Sequence, residues 1–380
     1  MKKEANTSHN LQKTTKFKLD YFLLVLFLLV LGAGLAMLFS AQAVVSLQKQ
    51  GSTTHYFIRQ IYSGLLPGIV LCIIAARTPY TFWARYSPLI VLGSLALLAL
   101  VEVPGIGQNL NGANRWISIG PVFFQPSELA KFALITYTAA WLSKKHRSLK
   151  DFFLGLLPLL LVTCAFAVLI IRQPDIGTMG IMVATSFIMF FLGGVPMLYL
   201  TTLLAVGSGI FFLLIRFSAY RLARLMTFLG TTSDPHGANY HINQALIAVG
   251  SGGLWGVGYG LSRQKYGYLP ESMGDSIFAV MSEELGFVVT SGIIVLFMLL
   301  LIRMCFISLK HDDPTAKIFG LGITTLFALQ FIINISAMIK LVPLTGVPLP
   351  FFSQGGSSML VSFLMMGVIF NIYSSRKKTK

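Results

Sequence analysis

Apolar runs close to the length of a bilayer crossing recur along this chain, and they leave few folds open to it. About 20 apolar residues in a helix span the hydrocarbon core. In that medium each backbone N–H and C=O needs a partner within the chain, so helices are the natural solution for such runs. The 380-residue sequence is 55% hydrophobic and only 11% charged, against roughly a quarter charged in a soluble domain. It therefore reads as an all-α polytopic membrane protein of about ten transmembrane helices. The expected spans are Tyr21–Phe39, Ile58–Ala75, Pro88–Val103, Gln125–Leu142 and Phe152–Ile171 in the first half. Ile181–Leu192, Met197–Ile215, Ser276–Ile302, Ile318–Ile339 and Met359–Tyr373 follow. The pattern divides the chain into a tail (1–19), one membrane domain (20–374) and a second tail (375–380).

The net charge of +16 would suit a nucleic-acid binder, but the basic residues sit in short links between apolar runs. Orientation in the membrane explains them, and a nucleic-acid partner is excluded. Most of the 29 Lys and Arg residues fall in the two tails and alternate links, so both termini are expected on the cytoplasmic side. Gly105–Phe124 alternates polar and apolar residues and carries Trp116, Phe123 and Phe124, which suits an outer interfacial segment. Ala41-Gln42-Ala43 resembles a signal-peptidase site, but the apolar run before it is longer than a cleaved signal requires, so an uncleaved helix is expected. Cys72, Cys164 and Cys305 lie in apolar runs without CxxC spacing and read as small hydrophobes.

One long polar segment interrupts the pattern, with an outer loop expected over about 216–275. Its glycines at 250, 252, 253, 256, 258 and 260 never satisfy GxGxxG, and the chain has no GxxxxGK[ST], GxSxG or HExxH. Asp234, His236 and His241 lie close together but match no standard metal spacing; a turn opened by Asp-Pro explains them as well. Most of the 13 acidic residues fall in or outside the membrane, where carboxylates are expensive and default to functional candidates. Glu128 and Lys131, three residues apart behind Pro126, share a helix face and suit an ion pair. Asp175 suits a helix cap. Glu283 and Glu284 are adjacent carboxylates in an apolar run, so one of them should meet a cation or be protonated. Asp275 ends the loop just before the apolar run, at the mouth of any outer cavity; it is a candidate base or a helix N-cap. A helix N-terminus would hold its pKa low.

The stretches RWISIGPVFFQPSELAK, RQPDIGT, YGYLPESMGDSIFAVMSEELGF and VPLTGVPLPFFSQGGSS, in this order, resemble the SEDS family (shape, elongation, division and sporulation proteins) of RodA, FtsW and SpoVE types. The likeness runs from the first span to the tenth, and HINQALIAVGSGGLWGVGYGLSRQK leans toward the FtsW and SpoVE branch. It implies a ten-helix enzyme of the bacterial cytoplasmic membrane that polymerises lipid II into glycan strands. It also implies work beside a class B penicillin-binding transpeptidase and other division or elongation proteins. The family pattern PExxTDFIF is matched by Pro270 to Phe278; the Asp is kept as Asp275, while Gly274 and Ser276 replace the Thr and the Phe. Glu128 and Lys131 match a charged pair lining the central cavity, and Arg224 and Lys265 fall on family-like positions. Such a reaction needs a base for the attacking hydroxyl and cations for the departing pyrophosphate. Asp275 is the expected base, and Arg115, Arg224 and Lys265 are the expected phosphate contacts. Asp175, Glu271 and Glu283 are secondary candidates. The sequence holds no metal-ligand motif and leaves a divalent-cation requirement open. A carrier that moves a lipid-linked sugar without making bonds, or a scaffold for the transpeptidase, would use many of the same features.

Overall fold

Asp20 starts the first helix by accepting a hydrogen bond from the Leu23 N–H at 3.0 Å. The computed structural model describes residues 18–110, 113–120, 122–144, 149, 151–229 and 238–376. The first helix, α1 (Tyr21–Gln50), runs past the expected end of its span and carries Ala41-Gln42-Ala43 inside it. Next comes α2 (His55–Arg77), with a π-helical turn at Ile61–Leu65.

The third helix, α3 (Tyr80–Leu100), starts before the expected Pro88 and holds that proline in its interior. Proline removes the donor that would reach the carbonyl four residues back. Here the Ser87 hydroxyl takes that carbonyl of Ala84 at 2.9 Å, so the helix continues. The Tyr80 N–H at its start is held by Asn371 Oδ1 at 2.8 Å, a cap from the far end of the chain.

The alternating segment after α3 is a small antiparallel sheet, a departure from the all-helical expectation. Its strands are β1 (Gly107–Leu110), β2 (Ala113–Ile119) and β3 (Val122–Phe124), in the order β1-β2-β3. Gln108 pairs with Trp116 and Ser118 with Phe123. The period of two in the sequence belongs to a pleated ribbon.

Then follow α4 (Pro126–Lys144), α5 (Phe152–Arg172), α6 (Ile176–Leu192) and α7 (Met197–Arg216). The expected outer loop holds two short helices, α8 (Ala219–Phe228) and α9 (Ala238–Ser251). The chain closes with α10 (Ile277–Leu309), α11 (Pro314–Met338) and α12 (Gly356–Ser375). Eight of these helices are long and apolar enough to cross a membrane: α1, α2, α3, α5, α7, α10, α11 and α12. The apolar α6 is shorter, and α4 carries a buried ion pair while packing against α3, α11 and α6.

Without water to drive apolar surfaces together, membrane helices gain from close packing and small residues. At α2 and α12 a Cβ on Gly68 would lie 3.1 Å from the Phe363 ring, and one on Gly367 would lie 2.4 Å from the Cys72 carbonyl. At one end of the bundle Arg303 meets Asp20, Tyr80 donates to Asp313 at 2.6 Å, and the Lys18 N–H reaches Ser374. The starts of α1 and α11 and the end of α12 therefore share that end. The sheet, α9, Asp275 and the turn at 340–355 gather at the other, where the Ser357 hydroxyl bonds Phe123 O and the Gln354 N–H bonds Met273 O.

Candidate functional site

Asp275 sits one residue ahead of the N-cap of α10, and the backbone of residues 273–275 is held by three hydrogen bonds. Asn334, a polar residue inside α11, donates from one amide nitrogen to both Asp275 O and Val347 O at 2.8 Å. Ser353 donates to Gly274 O at 2.6 Å. The Gln354 N–H donates to Met273 O at 2.8 Å. The N-cap position belongs to Ser276, and no side-chain bond caps the helix, so the capping role that Asp275 could have filled is not what it does.

Burial pushes the Asp275 carboxyl up to about 6, against the Ser276 hydroxyl and the positive charge of Arg224, which pull it down. Desolvation outweighs the helix terminus and reverses the low pKa that the sequence suggested. Arg224, on α8, also donates to Leu344 O at 3.2 Å.

His241 is the residue that sequence reasoning assigned to the wrong context. Asp234 and His236 lie outside the described residues, but His241 on α9 places its Nε2 2.6 Å from Ser276 Oγ. Ser276 in turn reaches Pro270 O at 2.9 Å and Asp275 Oδ1 at 3.4 Å. Burial lowers the His241 imidazole to about 4; the Glu271 charge opposes the shift and Arg224 adds to it. Thirty-odd residues of chain separate His241 from Ser276, so no local spacing announces the pair. Asn334 was findable as one of two buried amides, with Gln330, in an apolar run.

A second carboxylate cluster lies further along α10. Glu284 and Lys265 are 1% and 2% exposed and form an ion pair at 2.7 Å. Ser40 of α1 reaches both Glu284 oxygens at 2.7 Å, and Lys265 also donates to Ser40 Oγ and to Gly260 O. Glu283 accepts from the Ser262 hydroxyl at 2.5 Å and the Arg263 N–H at 2.9 Å. The adjacent carboxylates are thus partnered, one of them by a cation as expected. The Lys265 ammonium, expected to contact phosphate, bonds three oxygens of the protein here. Glu283 is likewise taken up in holding the 262–264 turn.

The glycine-rich stretch explains how these carboxylates are held. α10 breaks at Gly286 (φ 70°, ψ −177°). The freed groups are taken up by the 253–258 segment: Val257 and Gly258 donate to Glu283 O and Glu284 O, and Phe287 and Val288 donate to Gly253 O and Leu254 O. A Cβ on Gly256 would lie 2.1 Å from Glu284 O, so the two backbones can approach only through glycine. A broken membrane helix is tolerable where another segment restores its hydrogen bonds.

Glu128 and Lys131 form the expected ion pair, 2.8 Å apart and buried on α4. Asp175 caps α6 through the Thr178 N–H at 3.2 Å. Arg115 on β2 donates to Gln173 O at 2.8 Å and Pro174 O at 2.5 Å, so it clamps the turn before α6. These two bonds give Arg115 a structural role beside the phosphate contact expected of it. Glu271 adopts a positive φ of 50°, and its carbonyl accepts from the Gly274 and Ser276 N–H groups, folding the loop tightly ahead of Asp275. Among the described residues no three His, Cys, Asp or Glu side chains converge to hold a metal ion. A groove of about 570 Å3 lies at the start of α2, lined by Ser52, His55, Ile58, Arg59 and Tyr62, and Asp275 is not among its lining residues.

A family model for cell cycle proteins of the FtsW, RodA and SpoVE group matches residues 20–378. The chain is 37% identical over 360 residues to stage V sporulation protein E of Bacillus subtilis, covering 94% of this chain and 98% of that protein. It is 35% identical over 357 residues to a protein of Pseudomonas fluorescens named "probable peptidoglycan glycosyltransferase FtsW", covering 93% and 88%. Among solved structures, the rod shape determining protein RodA of Thermus thermophilus superposes with a TM-score of 0.68 at 26% identity, over 96% of this chain and 99% of that one. A chain from a peptidoglycan synthase complex in which polymerization and crosslinking are coordinated superposes at 0.77, with 24% identity and coverage of 95% and 99%, a likeness of fold.

Proposed function

Because the chain belongs to the FtsW, RodA and SpoVE family of cell cycle proteins, we propose that it is a peptidoglycan glycosyltransferase that polymerises lipid II with Asp275 as general base. The observation that carries the role of Asp275 is a carboxylate on a backbone segment, 273–275, fixed by three hydrogen bonds while burial raises its pKa to about 6. Such a group is ionised at neutral pH yet basic enough to take a proton.

In the reaction, a sugar hydroxyl of one lipid II gives its proton to Asp275 as its oxygen bonds the anomeric carbon of another chain. The bond from that carbon to the lipid pyrophosphate breaks, and the pyrophosphate leaves with the electron pair. Arg224, whose charge is felt at Asp275, is the cation best located to receive the growing negative charge. The Glu128–Lys131 pair keeps two charges at membrane depth without net cost to the cavity's neutrality.

In this reading α4 and α6 also cross the bilayer, giving ten spans, and the end where Arg303 meets Asp20 faces the cytoplasm. The excess of basic residues in the links at that end supports the orientation. The outer end, with Asp275, then faces the lipid-linked substrate, and a class B transpeptidase is the partner that would crosslink the strands.

The test is polymerisation of labelled lipid II by purified protein, with and without such a partner, beside the Asp275→Ala variant. Strands from the parent and none from a folded variant support the assignment. Normal strands from the variant remove Asp275 from the chemistry. Strands from neither, with translocation of lipid II in liposomes, would make the protein a carrier.

A further inference from the structure

The Ser276 hydroxyl has one hydrogen and three neighbours: His241 Nε2 at 2.6 Å, Pro270 O at 2.9 Å and Asp275 Oδ1 at 3.4 Å. Two of those neighbours are oxygens that can only accept while Asp275 is ionised. If the hydroxyl gave its hydrogen to His241, its lone pairs would face both oxygens at once. The favourable arrangement has His241 donating from Nε2–H to Ser276 Oγ, which leaves the hydroxyl hydrogen to choose between the carboxylate and the carbonyl.

We infer that Ser276 and His241 are positioning residues that form a hydroxyl switch beside Asp275, resting on the reading of Asp275 as the base. While the carboxylate is ionised, the hydroxyl hydrogen points to Oδ1. When Asp275 takes up the proton of the attacking sugar hydroxyl, the Ser276 hydrogen turns to Pro270 O, and no proton leaves the cluster. His241 fixes the pivot in both states, because it donates to Ser276 Oγ throughout.

Three observations support this. The 3.4 Å contact is long, as hydrogen bonds to a catalytic group often are before substrate arrives. Ser276 is fully buried, so water does not compete for its hydroxyl. Burial keeps His241 neutral, with a pKa of about 4, so it acts as a fixed donor and takes no proton at working pH. The other charged groups acting on these residues are Glu271 and Arg224, and Lys49 acts on Glu271. Ser276 occupies the position where the resembled pattern carries a Phe, so the switch is a property of this chain rather than of the pattern.

The experiment is the pH profile of kcat for lipid II polymerisation by the full-length protein, comparing the parent with Ser276→Ala, Ser276→Thr, His241→Phe and His241→Gln. Ser276→Ala removes a bond that favours the ionised carboxylate, so the acid limb should move up by on the order of one pH unit. At neutral pH kcat should then drop about twofold, and the drop should approach about tenfold well below the limb, with KM little changed. Ser276→Thr should bring the limb back toward the parent, and His241→Gln should do so relative to His241→Phe. If Ser276→Ala fails to fold, the His241 pair alone carries the test. An acid limb unmoved in folded Ser276→Ala, or in His241→Phe, overturns the switch, while an inactive Asp275→Asn keeps the base assignment. An active Asp275→Asn overturns the base, and the switch with it.

Discussion

Two carboxylate neighbourhoods occupy the start of one helix and end up with opposite chemistry. Around Glu284, Lys265, Ser40 and the backbone of Ser262 saturate the oxygens, and the group is closed to solvent. Around Asp275 the backbone is fixed, and among the described residues the carboxylate meets the Ser276 hydroxyl at a long 3.4 Å, its own and Ser276's backbone N–H groups, and the charge of Arg224. A fully partnered buried charge is a fastener, and removing a partner leaves an uncompensated charge. A buried carboxylate without such a short ion pair, on a rigid backbone, suits the proton uptake proposed for Asp275. What separates the two is which donors the fold spends on each, since both are carboxylates at or near the start of α10.

The largest expected effect is on chemistry. Asp275→Asn should lower polymerisation by roughly 10²–10⁴-fold while thermal unfolding in detergent stays near the parent's; a shifted unfolding curve would blur the distinction between the two clusters.

Next is the fastener. Lys265→Met strands Glu284 and should cost about 3–5 kcal/mol, read as lost yield and a lower unfolding temperature. Adding Glu284→Gln should recover much of that stability. If Lys265→Met folds normally yet loses substrate affinity, the cluster reaches substrate after all.

Gly256→Ala attacks the same cluster through its backbone. A Cβ at a φ of 80°, within 2.1 Å of Glu284 O, should cost at least about 3 kcal/mol, measured as the fraction of folded protein by size exclusion.

The pH dependence is a gentler probe. With Asp275 as the proposed base, working ionised, and burial raising its pKa, the rate should climb as pH rises through about 6, whereas an unperturbed aspartate would place that limb near roughly 4. A limb near the unperturbed value would mean that substrate rehydrates the site.

The smallest effect belongs to Arg115→Ala. It frees Gln173 O and Pro174 O at the partly exposed rim and should cost about 1 kcal/mol with KM unchanged. A raised KM would return Arg115 to the phosphate contacts.

Much of this was legible in the order of residues. The apolar runs marked the positions of the long helices, because a segment of that length and composition has one stable form in a bilayer. Glu128 and Lys131 announced their pairing by spacing alone, and Asp175 its cap. The alternating segment before α4 carried a period of two that belongs to strands, and only the paired register made it a sheet. The glycine-rich stretch looked like a loop because nothing local says that its N–H groups are spent on a broken helix some thirty residues away.

The sequence by itself determined a multi-pass helical membrane protein, its family resemblance, and the carboxylate at the head of α10, since hydropathy and motif order are properties of short stretches. Which cations serve as fasteners and which act on Asp275, and that His241 and Ser276 meet beside it, were decided only by the tertiary structure. Partnership and burial set a pKa, and both depend on segments that are distant in the chain and adjacent only once it has folded.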